Sequence, residues 1–129
     1  MSEQASSQTL YERLGGEARL SSLLVNFYER VLADPDLSGF FIDVPIEKLR
    51  HMQHEFFAAA LDGPVDYSGR PLSEVHAGMG ISPRHLRLFV DHLLETLEHF
   101  DVDADDRYDI ASRINLFADE ITGTTSVDG

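Results

Sequence analysis

Apolar residues recur along this chain at intervals of three and four, the period of helices with one buried face. No segment alternates as a half-buried strand would, and five helical patterns emerge. Thr9 with Glu12 forms a capping box that opens a short first helix, which the Gly15-Gly16 pair ends. A second helix is expected over about Glu17 to Leu32, with Leu20, Leu23, Leu24, Phe27, Tyr28 and Val31 on its core face; Asp34-Pro35 stops it. A brief turn carries Leu37, Phe40 and Phe41. Pro45 suits the first position of a helix running to about Leu61, striped by Ile46, Leu49, Phe56 and Ala60 and closed by Gly63-Pro64. From Gly63 to Ser82, four glycines and two prolines leave room for only a turn or two, over Pro71 to His76. Ser82 and Pro83 cap a long helix to about Phe100, with Leu86, Phe89, Val90, Leu93, Leu94, Leu97 and Phe100 facing the core. The last helix, about Asp105 to Ile121, presents Tyr108, Ala111, Ile114, Phe117, Ala118 and Ile121. The pattern predicts one all-α domain without internal repeats.

Some polar residues stand where packing alone asks for apolar ones. Gln53 projects from the centre of its helix's apolar stripe, and a buried amide without partners costs about 1–3 kcal/mol. Tyr28 lies on the apolar side of the preceding helix, and His76 stands in the Gly-flanked segment Glu74-Val75-His76-Ala77-Gly78. A histidine, a tyrosine, a glutamine and the paired Phe40-Phe41 are what a buried haem with a polar ligand pocket requires. On the residues alone, His76 stays open between an iron ligand and an ordinary loop-capping histidine.

Composition narrows the classes. The 129 residues suit one domain. Residues 1–8 are polar and Ser-rich and read as a disordered tail rather than a signal peptide, with a short flexible tail expected over 124–129. The apolar run Phe56 to Leu61 is far too short to span a bilayer, so a cytoplasmic protein without membrane insertion is expected. With no cysteine, disulfides, thiolate metal sites and Cys-x-x-Cys-His haem attachment are excluded. A formal net charge of −13 and a single lysine, Lys48, argue against nucleic-acid partners.

The ordered set Leu10-Tyr11-Glu12-Arg13-Leu14-Gly15-Gly16, Phe27 through Pro35, Phe40-Phe41, Gln53 through Leu61, Gly63-Pro64, Tyr67-Ser68-Gly69-Arg70 and Val75-His76-Ala77-Gly78 resembles the group I truncated haemoglobins, the two-over-two globins. The resemblance spans residues 9–123 and implies a two-over-two helical sandwich of B, E, G and H helices around non-covalent haem b. It implies His76 as the proximal iron ligand. It implies Tyr28 and Gln53 as distal donors to bound dioxygen, whose partial superoxide character favours charge-assisted hydrogen bonds. Phe41 matches the phenylalanine packed on the haem face, with Phe40 walling the pocket and Leu72 among the cofactor contacts. Phe57 matches a residue gating an apolar ligand tunnel in some members, although core filling explains it equally. Arg70 matches a position near the pocket mouth, open between a haem carboxylate partner and a solvated loop arginine. Leu49 occupies the position of the distal histidine of vertebrate globins. Met52 matches a second iron-ligating histidine of cyanobacterial members, and no histidine follows His99, where some of those attach haem covalently. Both departures imply an exchangeable sixth site, with Met52 ligation as the competing outcome.

Of the six histidines, helical arithmetic places His85, His92 and His99 on the flank opposite the core stripe, hence solvated. His51 and His54 fall on the outer face of their helix without a completing carboxylate. Asp101, Asp103 and Asp105 alternate like a calcium loop, but Asp106 replaces the required glycine and Ser112 the bidentate glutamate. The expected function is reversible dioxygen binding, with nitric oxide and carbon monoxide as further ligands. The resemblance further implies nitric oxide dioxygenation to nitrate, which needs a separate reductase because nothing here binds flavin or nicotinamide. A non-catalytic oxygen carrier or gas sensor, and a haem-free helical module binding an apolar ligand, are the open alternatives.

Overall fold

A computed structural model describes residues 8–64, 67 and 79–122, and these form helices without strands. The capping box opens α1, Leu10–Leu14: Thr9 Oγ1 accepts from the Glu12 amide at 3.1 Å and Glu12 Oε1 accepts from the Thr9 amide at 3.1 Å. Gly15, at φ 111°, turns the chain directly into α2, Gly16–Ala33, a conformation that a side chain would strain. All six expected α2 core residues are buried. Asp34-Pro35 ends α2, and a 3₁₀ turn over Ser38–Phe41 follows.

Helix α3 spans Ile46–Ala60, with Pro45 as its N-cap rather than its first residue. Its core side is Leu49, Phe57 and Ala58, whereas the expected Ile46 is 38% exposed. The stripe was centred one position away, because α3 divides its apolar side between the core and a cavity described below. Helix α4 spans Pro83–His99 and is capped by Ser82. The expected final helix is two pieces, α5 over Ala104–Asn115 and α6 over Ala118–Thr122, separated at Leu116-Phe117. Tyr108, expected in the core, is 73% exposed, because Ile110, Ala111 and Ile114 centre the buried face elsewhere.

Helices α3 and α4 end in the same way. Asp62 and Asp101 adopt left-handed conformations (φ 66° and 60°) one residue past each C-cap. The Gly63 amide then donates to the Ala58 carbonyl at 2.7 Å, and the Val102 amide to the Leu97 carbonyl at 3.0 Å, closing two Schellman motifs. The acidic stretch after α4 is thus a helix stop followed by the start of α5. Among the described residues no three metal-ligating side chains converge there.

α2 packs against α3 and α4, and α4 against α5 and α6, laying one helix pair over another around a shared core. Arg113 ties α5 to the end of α3, donating from Nη1 to the Ala60 carbonyl at 3.0 Å and to Asp62 Oδ2 at 2.8 Å. No helix among the described residues is long and apolar enough to cross a membrane.

Candidate haem pocket

Between α2, the 3₁₀ turn, α3 and the start of α4 lies a cavity of about 360 Å³, within the range of small-molecule sites. Its walls are mostly apolar and aromatic. Phe40 and Phe41 enter from the 3₁₀ turn, Leu49, Met52, Phe56 and Phe57 from α3, and Leu86 and Phe89 from α4; Ile114 and Ile121 also line it. Phe57 is 2% exposed and stands edge-on to Phe27 at 6.2 Å.

Tyr28 brings the main polar group to this cavity from the middle of α2. Its ring packs edge-on against Phe27 (4.9 Å between centroids), Phe41 (6.0 Å) and Phe89 (6.3 Å). The side chain is 5% exposed, and its hydroxyl has no hydrogen-bond partner among the described residues. Burial alone pushes the phenol above its ordinary pKa, so the group is a neutral donor at physiological pH. Gln53 lines the same cavity from α3, half-buried. Tyr28 and Gln53 make no hydrogen bond to each other.

The structure thus brings together Tyr28, Phe40, Phe41, Leu49, Met52, Gln53 and Phe57; the expected His76, Arg70 and Leu72 lie outside the described residues. Two of the three histidines expected in solvent on α4 are half-buried. His85 lines the cavity edge-on to Phe40 at 4.9 Å. His92 Nε2 meets Asp34 Oδ2 at 2.8 Å, tying α4 to the end of α2 just before the 3₁₀ turn. Both corrections have one cause: α4 is covered on its flank by the end of α2 and the 3₁₀ turn, which a single-helix projection cannot include. Phe89 was read only as core, because an aromatic on a core stripe looks the same whether it faces a neighbour or a void.

A second cavity, of about 560 Å³, is bordered by α1, α2 and α3. Glu17, Arg50, His51, His54 and Glu55 give it a polar rim unlike the aromatic slot; His54, expected on the outer face of α3, is half-buried here, its Nε2 without a partner among the described residues. The smaller cavity is the one that fits a flat, apolar cofactor presenting a polar gas: its walls are aromatic, and the Tyr28 hydroxyl beside them has no partner among the described residues.

A helical sandwich enclosing such a slot is the architecture of a globin. The bacterial-like globin family model matches residues 9–123. The group 1 truncated hemoglobin GlbN of Mycolicibacterium paratuberculosis is 42% identical over 117 residues, covering 91% of this chain and 86% of that protein. The group 1 truncated hemoglobin of Tetrahymena pyriformis is 34% identical over 95 residues, covering 74% and 78% of the two chains. A crystal structure of truncated hemoglobin from Tetrahymena pyriformis in the Fe(III) form superposes with a TM-score of 0.85 at 30% identity, over 88% of this chain and 97% of that one. The chain belongs to the bacterial-like globins, and within them to the group 1 truncated haemoglobins. Its cofactor is haem, and as a globin it binds gases such as oxygen.

Proposed function

We propose that this chain holds haem b non-covalently, with His76 as the iron's protein ligand, and binds dioxygen reversibly at a sixth position that is open in the ferrous, gas-free state. The reading extends to nitric oxide dioxygenation in the cytoplasm, with a separate reductase supplying electrons. One observation carries it: the buried hydroxyl of Tyr28, without a hydrogen-bond partner among the described residues, on the wall of an apolar slot. When bound, haem supplies an iron whose free position takes up a diatomic gas.

The chain's own residues then select which gas stays. Tyr28 offers an O–H and Gln53 an N–H toward a ligand that carries partial negative charge, and both stay neutral while doing so. Phe40, Phe41, Leu49 and Phe57 line the slot with apolar surface that would leave it dry once haem fills it, which would strengthen each of those hydrogen bonds. Leu49 and Met52 put no histidine on that side, which supports an exchangeable site. With no cysteine in the chain, thioether attachment has no residue to use. In the dioxygenation, one nitric oxide, one dioxygen and one electron combine to nitrate; Tyr28 and Gln53 retain the dioxygen until nitric oxide arrives.

The test is a titration of haem-free protein with haemin, followed by reduction. A Soret band at one equivalent, a five-coordinate ferrous spectrum, and stoichiometric nitrate on mixing the oxygenated protein with nitric oxide are expected. Absence of the Soret band ends the haem reading. A low-spin ferrous spectrum lost on Met52→Leu replaces the open site with a methionine ligand. Failure to form nitrate leaves an oxygen carrier or sensor.

A further inference from the structure

Three rings pack on Tyr28, and they are not held equally well. Phe27 and Phe89 belong to long helices, whereas Phe41, 6.0 Å away, belongs to a four-residue 3₁₀ turn with few hydrogen bonds of its own. The place of Phe41 therefore depends on what fastens the turn, and much of that runs through Asp34. The Asp34 carbonyl accepts from the Leu37 amide at 3.0 Å and from the Ser38 amide at 2.9 Å. Its Oδ1 accepts from the Asp36 amide at 2.9 Å. Oδ2 is left for α4, where His92 Nε2 lies 2.8 Å away, both side chains being mostly buried. A second contact, Arg84 Nη2 to Asp36 Oδ2 at 3.1 Å, joins the same elements in solvent, where an ion pair adds little.

The imidazole of this tie has a second nitrogen that neutrality leaves unsatisfied. A carboxylate only accepts, so His92 Nε2 carries the proton that Asp34 receives. Nδ1 is buried, makes no hydrogen bond to a described residue, and lies 3.4 Å from Glu95 Oε1. In a neutral ring that nitrogen is a bare lone pair beside a carboxylate. In a protonated ring both nitrogens are donors, one beside Asp34 at the end of α2 and one beside Glu95 on α4. The other charged groups on the facing elements are Arg30 of α2, 3.6 Å from Glu95 Oε1, and the Arg84–Asp36 pair; the 3₁₀ turn contributes none. His85, on the same helix, meets the turn through Phe40 at 4.9 Å.

We propose that His92 is a positioning residue for oxygen retention: through Asp34 it holds the 3₁₀ turn to α4, keeps Phe41 against Tyr28, and so steadies the hydroxyl that meets the bound gas. The protonated ring holds more firmly than the neutral one. This rests on the aromatic slot being the haem site and on Tyr28 as the oxygen donor. Histidine changes charge between about pH 5 and 8, so retention weakens as pH rises through that range.

The experiment follows oxygen release from the haem-loaded ferrous protein, displaced by excess carbon monoxide, between about pH 5.5 and 8.5. Wild type, His92→Gln and His92→Leu are compared, alone and combined with Tyr28→Phe. Wild-type release is expected to quicken about twofold across the range as the ring loses its proton. His92→Gln keeps an N–H for Asp34 but cannot titrate, so its profile should be flat and close to the alkaline wild-type value. His92→Leu should release oxygen about threefold faster than wild type at the acid end. In the Tyr28→Phe background neither variant should change release further, whereas any loss of melting temperature should persist there. Carbon monoxide release should stay constant throughout. A flat wild-type profile, a slope that survives in His92→Gln, or a His92→Leu effect that adds fully to Tyr28→Phe overturns the assignment. Tyr28→Phe without effect on oxygen release sinks the hydrogen-bond reading beneath it, and this one with it.

Discussion

Tyr28→Phe should move two measurements in opposite directions, because its hydroxyl burdens the empty protein and helps only against a polar ligand. The residue is 5% exposed and its hydroxyl is unpaired among the described residues. Leaving such a group buried costs about 1–3 kcal/mol. Phenylalanine keeps the ring contacts at 4.9 Å to Phe27 and 6.0 Å to Phe41, so little packing is lost. Taking the low end, about 1 kcal/mol because water can enter the empty slot, the haem-free variant should melt about 4 °C higher. The alkaline limb should also change. A phenol whose folded pKa is raised contributes stability fully below the unfolded value near about 10 and loses it as pH rises beyond that. Tyr28→Phe should therefore flatten the decline in stability above about pH 10. With dioxygen bound the sign reverses. A charge-assisted hydrogen bond is worth roughly 1.5–3 kcal/mol, and at about 1.4 kcal/mol per decade its loss raises the oxygen off-rate roughly ten- to hundredfold. Carbon monoxide carries less charge on its outer atom, so its off-rate should hardly move. Thermal unfolding by circular dichroism reads the first effect, and flash photolysis with ligand replacement reads the second. Equal acceleration of both gases would make the effect steric and refute the hydrogen-bond account. A lower melting temperature would show that the hydroxyl has a partner in the protein.

Gln53→Leu should accelerate oxygen release more mildly, and the double variant should fall short of the summed effects because both donors act on one ligand, a coupling read from the same off-rates. His76→Ala should lose most haem unless imidazole is added, whereas His92→Ala should leave the Soret spectrum unchanged; a normal carbon monoxide complex in His76→Ala overturns the ligand assignment. The Asp34 carboxyl is held below its usual range first by its hydrogen bond with His92 and then by the Asp36 amide. Its contribution is therefore present above the unfolded carboxylate value near about 3.9 and fades as pH falls through the lowered one, so Asp34→Asn should flatten the acid unfolding limb below about pH 4. Gly63→Ala would put its Cβ 2.8 Å from the Tyr11 ring and 2.9 Å from the Ala58 carbonyl. The backbone oxygen cannot yield as a side chain can, so a loss of about 1–3 kcal/mol is expected in urea unfolding.

Sequence conveyed what depends on neighbours within a turn and lost what depends on a second element. The Thr9 and Ser82 caps, the glycine break at Gly15 and the α2 stripe are local, and all formed as expected. The Schellman stops after α3 and α4 use aspartate where glycine is the familiar signal, so the first was read from Gly63-Pro64 one residue later and the second only as an acidic stretch. The break at Leu116, which is 81% exposed, has no glycine or proline to announce it. His92 turned from a surface residue into an inter-helix tie because Asp34, 58 positions earlier, lies beside it. The cavity shows the same limit more sharply. Leu49, Phe56, Phe89 and Ile114 have the composition of any core face, and hydrophobic periodicity reports only that water is absent, not whether the opposite side holds protein or a void. A buried polar group with no partner separates those cases, because evolution seldom tolerates a cost of about 1–3 kcal/mol that nothing recovers. Tyr28 was legible as a polar tip on an apolar helix face and through the family resemblance, while its lack of a partner among the described residues shows only in the structure. Gln53 was legible as the polar break in an apolar stripe. His85 was missed because helical arithmetic set it on the outer flank of α4, and the 3₁₀ turn that covers that flank with Phe40 lies far away in the sequence.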